Sequence, residues 1–137
     1  VRFADTNVLL YAISRDPEEQ AKAQRANELL KGRDLALSVQ VLQEFYVQAT
    51  RASRPDRIAH DDAVELIESF QRFSVAPITA DVMHAALATR DRFQISYWDA
   101  AILEAARSLG CEVVLSEDLG DAVDYAGVRV EDPFRER

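Results

Sequence analysis

Short apolar runs alternate along the chain with longer stretches in which apolar residues recur every three or four positions. That is the rhythm of strands buried on both faces and separated by amphipathic helices. Residues 2 to 4 (RFA) read as a first strand, and after a polar turn Asn7 to Ile13 reads as a short helix. Asp16-Pro17-Glu18-Glu19 predicts a second helix start, with Asp16 as N-cap, Pro17 in the first turn and Glu19 closing a capping box. That helix runs to about Lys31, where Gly32 ends it. LALS (35 to 38) is a strand, and VQVLQEFYVQATRA a helix that turns Val41, Leu42, Phe45 and Ala49 to one side before Pro55 interrupts. A helix over roughly Asp61 to Phe70 and a strand in FSVAPI (73 to 78) follow. Thr79 caps a helix to about Arg92, and Ser96 caps the next, through Leu109, with Trp98, Ala101, Ile102 and Ala105 as its apolar stripe. Gly110 stops it, CEVVLS (111 to 116) is a strand, and GVRV (127 to 130) is expected to be the last.

This alternation predicts an α/β fold, a three-layer α/β/α sandwich around a central, mainly parallel sheet. The 137 residues, 48% of them hydrophobic, fit one domain spanning 1–137, and no repeat, low-complexity tract or linker interrupts them. The first residues lack the basic, apolar and small-residue regions of a secretory signal, and no apolar run is long enough to cross a membrane, so a soluble cytoplasmic protein is expected. The single Cys111 cannot form an internal disulfide, which suits a reducing compartment.

Charge narrows the chemistry. The formal net charge of −8 is the reverse of the basic balance that usually marks nucleic-acid binding, so a phosphate-bearing ligand would need clustered arginine or a bound cation. Of the 16 basic residues 14 are Arg, the residue suited to bidentate phosphate contacts.

In open α/β sheets ligands gather beyond the carboxyl ends of the strands. Asp5 follows the first strand directly, and Asp118 follows CEVVLS in the segment SEDLGD. Glu44 in VLQEFY and Asp99 in SYWDAAI stand among apolar residues of helices. Two carboxylates about 4 Å apart repel by roughly 4 kcal/mol at an effective dielectric of about 20. Several such pairs would approach a domain's whole stability of about 5–15 kcal/mol. Converging acids must therefore protonate, stay apart or hold a cation, and an all-oxygen set favours Mg²⁺ or Mn²⁺ over zinc. Each acid also has a local role open to it. Asp5 suits an Asx turn, Asp99 the third position of a capping box begun by Ser96, Glu44 an ion pair with Arg51 or Arg54, and Asp118 a polar turn with Glu117 and Asp121.

FADTNVLLYA, SVQVLQEF, SYWDAAI and VVLSEDL resemble, in order and spacing, the PIN-domain family and within it the VapC-type toxins, from Phe3 to the closing GVRVEDPF. The resemblance implies an endoribonuclease dependent on Mg²⁺ or Mn²⁺ that hydrolyses RNA phosphodiesters to 5′-phosphate and 3′-hydroxyl ends. Carried over by motif, Asp5 and Asp99 are core metal ligands, Glu44 completes the cluster and Asp118 is the fourth acid. The resemblance also makes Thr6, Asn7 and Ser116 candidates for orienting the ligands or metal-bound water, and Glu117 and Asp121 lie near enough to contribute. Arg51, Arg54, Arg57, Arg90 and Arg92 are candidate RNA contacts, each with an alternative as solvated surface charge. The resemblance also implies a VapB-like antitoxin in the active-site groove, and a homodimer. Phe45, Tyr46 and Trp98 are expected in the core rather than in that groove.

Other readings fit less well. A haloacid-dehalogenase-type phosphotransferase needs a second acid where Asn7 stands, and a receiver domain needs a strand-end lysine that neither Lys22 nor Lys31 supplies. The serious alternative is a catalytically inactive PIN-like module that binds RNA or protein, which metal affinity and metal-dependent cleavage would distinguish.

Overall fold

The order of the strands decides where this molecule can place a site. The computed structural model describes residues 1–135. Its strands are β1 (Arg2–Ala4), β2 (Leu35–Ser38), β3 (Ser74–Ala76), β4 (Val113–Leu115), β5 (Asp124–Tyr125) and β6 (Val128–Glu131), and they form one sheet in the order β3-β2-β1-β4-β6-β5. All neighbours are parallel except β5 and β6. The helices are α1 (Thr6–Ala12), α2 (Gln20–Lys31), α3 (Val39–Ala49), α4 (His60–Phe70), α5 (Ala80–Phe93) and α6 (Tyr97–Ser108). The chain steps from β1 to β2 to β3 in one direction and then returns across the sheet to β4. With right-handed crossovers α1 to α4 cover one face, and α5 and α6 the other. The expected sandwich is thus observed. Phe3, Leu9, Leu35, Leu37, Phe45, Leu103, Val114 and Leu115 fill its interior.

Helix starts follow local cap chemistry. Ser38, Thr79 and Ser96 each accept, through the side chain, the backbone N–H three residues on. Asp16 caps as well, accepting from Glu18 N, but Pro17–Glu19 forms a 3₁₀ turn and the α-helix begins only at Gln20. The expected capping box is not made, because the Glu19 carboxylate takes the Ser14 hydroxyl at 2.6 Å and Asp16 N–H goes to Ser14 Oγ. At the end of α6, Gly110 at φ 74° donates to Arg107 O and Cys111 to Ala106 O, the paired bonds of a Schellman stop.

The last part of the sheet differs from the sequence reading. Gly127 is a turn residue rather than the start of the final strand, and β5 was not expected. Ala126 (φ 54°) and Gly127 (φ 95°) form a two-residue hairpin loop with both φ positive, between the paired residues Tyr125 and Val128. Alanine carries a steric penalty there that asparagine largely avoids. Ala126→Asn is expected to raise stability by about 1 kcal/mol, read as a higher midpoint in urea unfolding with an unchanged slope.

Candidate functional site

Strand order reverses between β1 and β4, so a crevice opens beyond their carboxyl ends. Their register sets Ala4 beside Leu115, and the bond from Asp5 N to Leu115 O at 3.0 Å brings Asp5 alongside Ser116. Ser116 Oγ donates to Asp5 Oδ2 at 2.8 Å and accepts from Asp118 N at 3.1 Å. The other Asp5 oxygen accepts Thr6 N at 2.7 Å and so caps α1. Thr6 Oγ1 in turn donates to Glu44 Oε2 at 3.2 Å, from the second turn of α3. Asn7 Nδ2 donates to Ser116 Oγ and to Asp118 Oδ2, each at 3.2 Å. Asp99 arrives from the opposite layer, in the first turn of α6, and only its backbone N–H is used by the Ser96 cap.

Asp5, Thr6, Asn7, Glu44, Asp99 and Asp118, together with Leu10, Gln48, Trp98 and Ile102, line one cleft of about 130 Å³. Glu44 pairs with neither Arg51 nor Arg54. Its second oxygen accepts Gln40 Nε2 at 2.7 Å, and the same nitrogen reaches Trp98 O at 3.3 Å. Burial is the main cause that pushes the Asp5 carboxyl up to about 6. The bonds from Ser116 and Thr6 oppose the rise, while the charges of Glu44 and Asp118 add to it.

As the side chains stand they do not close a coordination sphere. Among the described residues no group of three or more His, Cys, Asp or Glu is placed to hold a metal ion. The donors themselves fit a hard divalent ion, since every candidate ligand atom is oxygen. A second observation agrees. A carboxylate can only accept, so Asn7 must turn its nitrogen to Asp118, and its Oδ1 is left buried with no hydrogen-bond partner among the described residues. A buried acceptor in that state beside a desolvated carboxylate suits a cation or its bound water.

A family model for the PIN domain matches residues 2–124. The chain belongs to the PIN-domain family. Solved structures with the same fold include FitAcB from Neisseria gonorrhoeae, at 18% identity over 99% of this chain and 100% of that one, with a TM-score of 0.73. A toxin-antitoxin complex from Klebsiella pneumoniae is 20% identical over 97% and 98%, with a TM-score of 0.70. VapC20 from Mycobacterium tuberculosis, a Sarcin-Ricin loop cleaving toxin, is 21% identical over 94% and 99%, with a TM-score of 0.66. No curated protein matches the chain.

Of the other predicted residues, this PIN domain brings only some to the cleft. Glu117 is held by the Tyr11 hydroxyl and by Lys22 Nζ at 2.9 Å, and Asp121 accepts Asp132 N and pairs with Arg135, so both brace loops and neither lines the cleft. Arg51 borders the adjoining groove. Arg54 is largely buried against Asp56 at 2.9 Å, Arg57 donates to Ala52 O, and Arg92 lies over the Phe93 ring. Arg57, Arg90 and Arg92 do not line the cleft or that groove. Phe45 is core, whereas Tyr46 is half-buried and bonds His60 Nδ1.

Trp98 overturns the expectation of a core position. It is 66% exposed at the cleft mouth, because the first turn of α6 projects past the layer that Ala101, Ile102 and Ala105 help to fill. Sequence reasoning also missed Gln40 and Gln48, whose signal was available: both share with Glu44 one side of α3, at spacings of four. Among the described residues no helix is long and apolar enough to cross a membrane.

Proposed function

We propose that this PIN domain is a divalent-metal-dependent endoribonuclease, and the toxin of a VapBC-type pair that a VapB-like antitoxin holds inactive in the cytoplasm. The observation that carries the reading is the cleft. Four acids from four separate parts of the chain line it, one with its pKa pushed up to about 6, beside a buried amide oxygen without a partner among the described residues. Asp5, Glu44, Asp99 and Asp118 would hold Mg²⁺ or Mn²⁺, which supplies charge neutralisation and Lewis acidity for phosphodiester hydrolysis. Ser116 fixes the rotamer of Asp5, Thr6 and Gln40 fix both oxygens of Glu44, and Asn7 fixes Asp118. Neutralising this corner lets a polyanion approach a chain of net charge −8, with Arg51 as an outer phosphate contact. The toxin-antitoxin neighbours support the antitoxin partner, and the homodimer is part of the same proposal by resemblance alone.

The test is cleavage of a structured RNA pool by the purified chain, free of antitoxin, across Mg²⁺ and Mn²⁺ concentrations, beside a chelator control and matched DNA. RNA cutting that rises with metal and stops with chelator is expected. A folded chain that binds neither metal nor antitoxin and cuts nothing would overturn the proposal in favour of a binding module. Cutting of DNA at an equal rate would remove the ribonuclease assignment.

A further inference from the structure

A second groove, of about 430 Å³, opens directly from the acid cleft and shares Glu44, Gln48 and Trp98 with it. Its remaining wall is Gln40, Gln43, Val47 and Arg51. Positions 40, 43, 44, 47, 48 and 51 follow the helical spacing of i, i+3, i+4, i+7, i+8 and i+11, so one edge of α3 and the residue just past its cap build every part of the wall except Trp98 of α6. The opposite edge of that helix is the buried one, carrying Val41, Leu42, Phe45 and Ala49.

The composition of the wall is informative. Trp98 is 66% and Val47 55% exposed, which leaves a broad aromatic and aliphatic surface in water at the mouth of a polar site. Around it stand amide side chains, each with a donor and an acceptor. Those of Gln43 and Gln48 make no hydrogen bond among the described residues, and Gln40 keeps its oxygen after its nitrogen is taken by Glu44 and Trp98 O. Arg51 closes the far end without an ion pair among the described residues. An indole face for stacking, free amides for base edges and a guanidinium for a phosphate are the three components of a single-stranded nucleic-acid seat.

We infer that Trp98 and this edge of α3 seat an unpaired base of the RNA, next to the phosphate that the acid cleft addresses. The inference rests on the ribonuclease reading for its substrate. A protein segment is the other conceivable occupant. The free amides and the unpaired Arg51, continuous with the cleft, favour the nucleotide.

Trp98 is the sequence's single tryptophan, so its emission reports the groove directly. The experiment titrates short single-stranded RNA, and the same oligomer abasic at its central position, into the protein in calcium buffer, with oligomer integrity checked on a gel. In parallel, KM and kcat are measured for Trp98→Ala and Trp98→Phe with single-stranded substrate. Quenching by the base-bearing oligomer that the abasic one loses is expected. Trp98→Ala should raise KM roughly ten- to hundred-fold with kcat within about threefold, and Trp98→Phe should recover most of the loss. Thermal unfolding of both variants, at an exposed position, confirms that the fold is intact. Equal quenching by both oligomers, no quenching, or an unchanged KM in Trp98→Ala overturns the seat. Cleavage without base-dependent quenching removes the seat and leaves the ribonuclease. Base-dependent quenching without cleavage removes the ribonuclease and leaves an RNA-binding groove.

Discussion

Asp99→Asn is expected to lower RNA cleavage by roughly 10³-fold or more while leaving the fold intact. Two features make this substitution cleaner than any other in the cleft. The Asp99 carboxylate makes no hydrogen bond among the described residues, so asparagine breaks no contact. The Ser96 cap depends on the backbone N–H of residue 99, which asparagine keeps. What is lost is one negative charge near the N-terminus of α6, worth about 0.3–1 kcal/mol to the helix. A cation held by the acids would lose a ligand that asparagine replaces with a neutral oxygen. Single-turnover cleavage beside thermal unfolding checks both halves. Equal cleavage by parent and variant would place the chemistry elsewhere, and a large drop in melting temperature would show that Asp99 supports the fold itself.

Helices and most strands were legible because their signals are local. Ser38, Thr79 and Ser96 stand immediately before periodic segments and cap them, and Gly110 occupies a positive-φ stop that few other residues tolerate. The acids were legible as polar residues set against apolar runs at strand ends and in helices. Features made by distant partners were not. Ser116 meets Asp5 across 111 residues, and Lys22 reaches Glu117 across 95, so nothing near either residue announces the bond.

Glu104 gives no local signal either, lying in the apolar run AAILEAA. It is 6% exposed, accepts Thr89 Oγ1 and pairs with Arg107 at 3.0 Å. Arg107 then holds the carbonyls of Tyr125 and Ala126 at the hairpin. Trp98 was misplaced because helical periodicity gives the angle around an axis and says nothing of where the axis runs past its support. The two-residue β5 is too short for any alternation of apolar and polar positions to register.

The acid cleft also has a consequence for stability. Asp5 is 8% exposed and has its pKa raised from 3.8 to about 6, so the folded state binds a proton that the unfolded chain has already released between those values. Stability from this group is therefore fully present below about pH 3.8 and is lost as pH rises through about 6. The loss is about 3 kcal/mol, from a shift of about 2 pH units. Asp5→Asn removes the charge and keeps an oxygen for Thr6 N, but its amide nitrogen then faces Ser116 Oγ, which loses its acceptor at a cost of about 1 kcal/mol at every pH. In chelator at pH 7.5 the variant is expected to be the more stable protein, by about 2 kcal/mol or roughly 7 °C in melting temperature. The advantage should be gone by pH 4, and taking the difference between two otherwise identical chains cancels the titration of the other acids. Adding Mg²⁺ or Mn²⁺ at pH 7.5 should raise the parent's melting temperature more than the variant's, because the parent has one more carboxylate to neutralise, the buried one. A parent that is already the more stable of the two in chelator would mean that the buried carboxylate carries no penalty, and the case for a cation-seeking site would lose its energetic support.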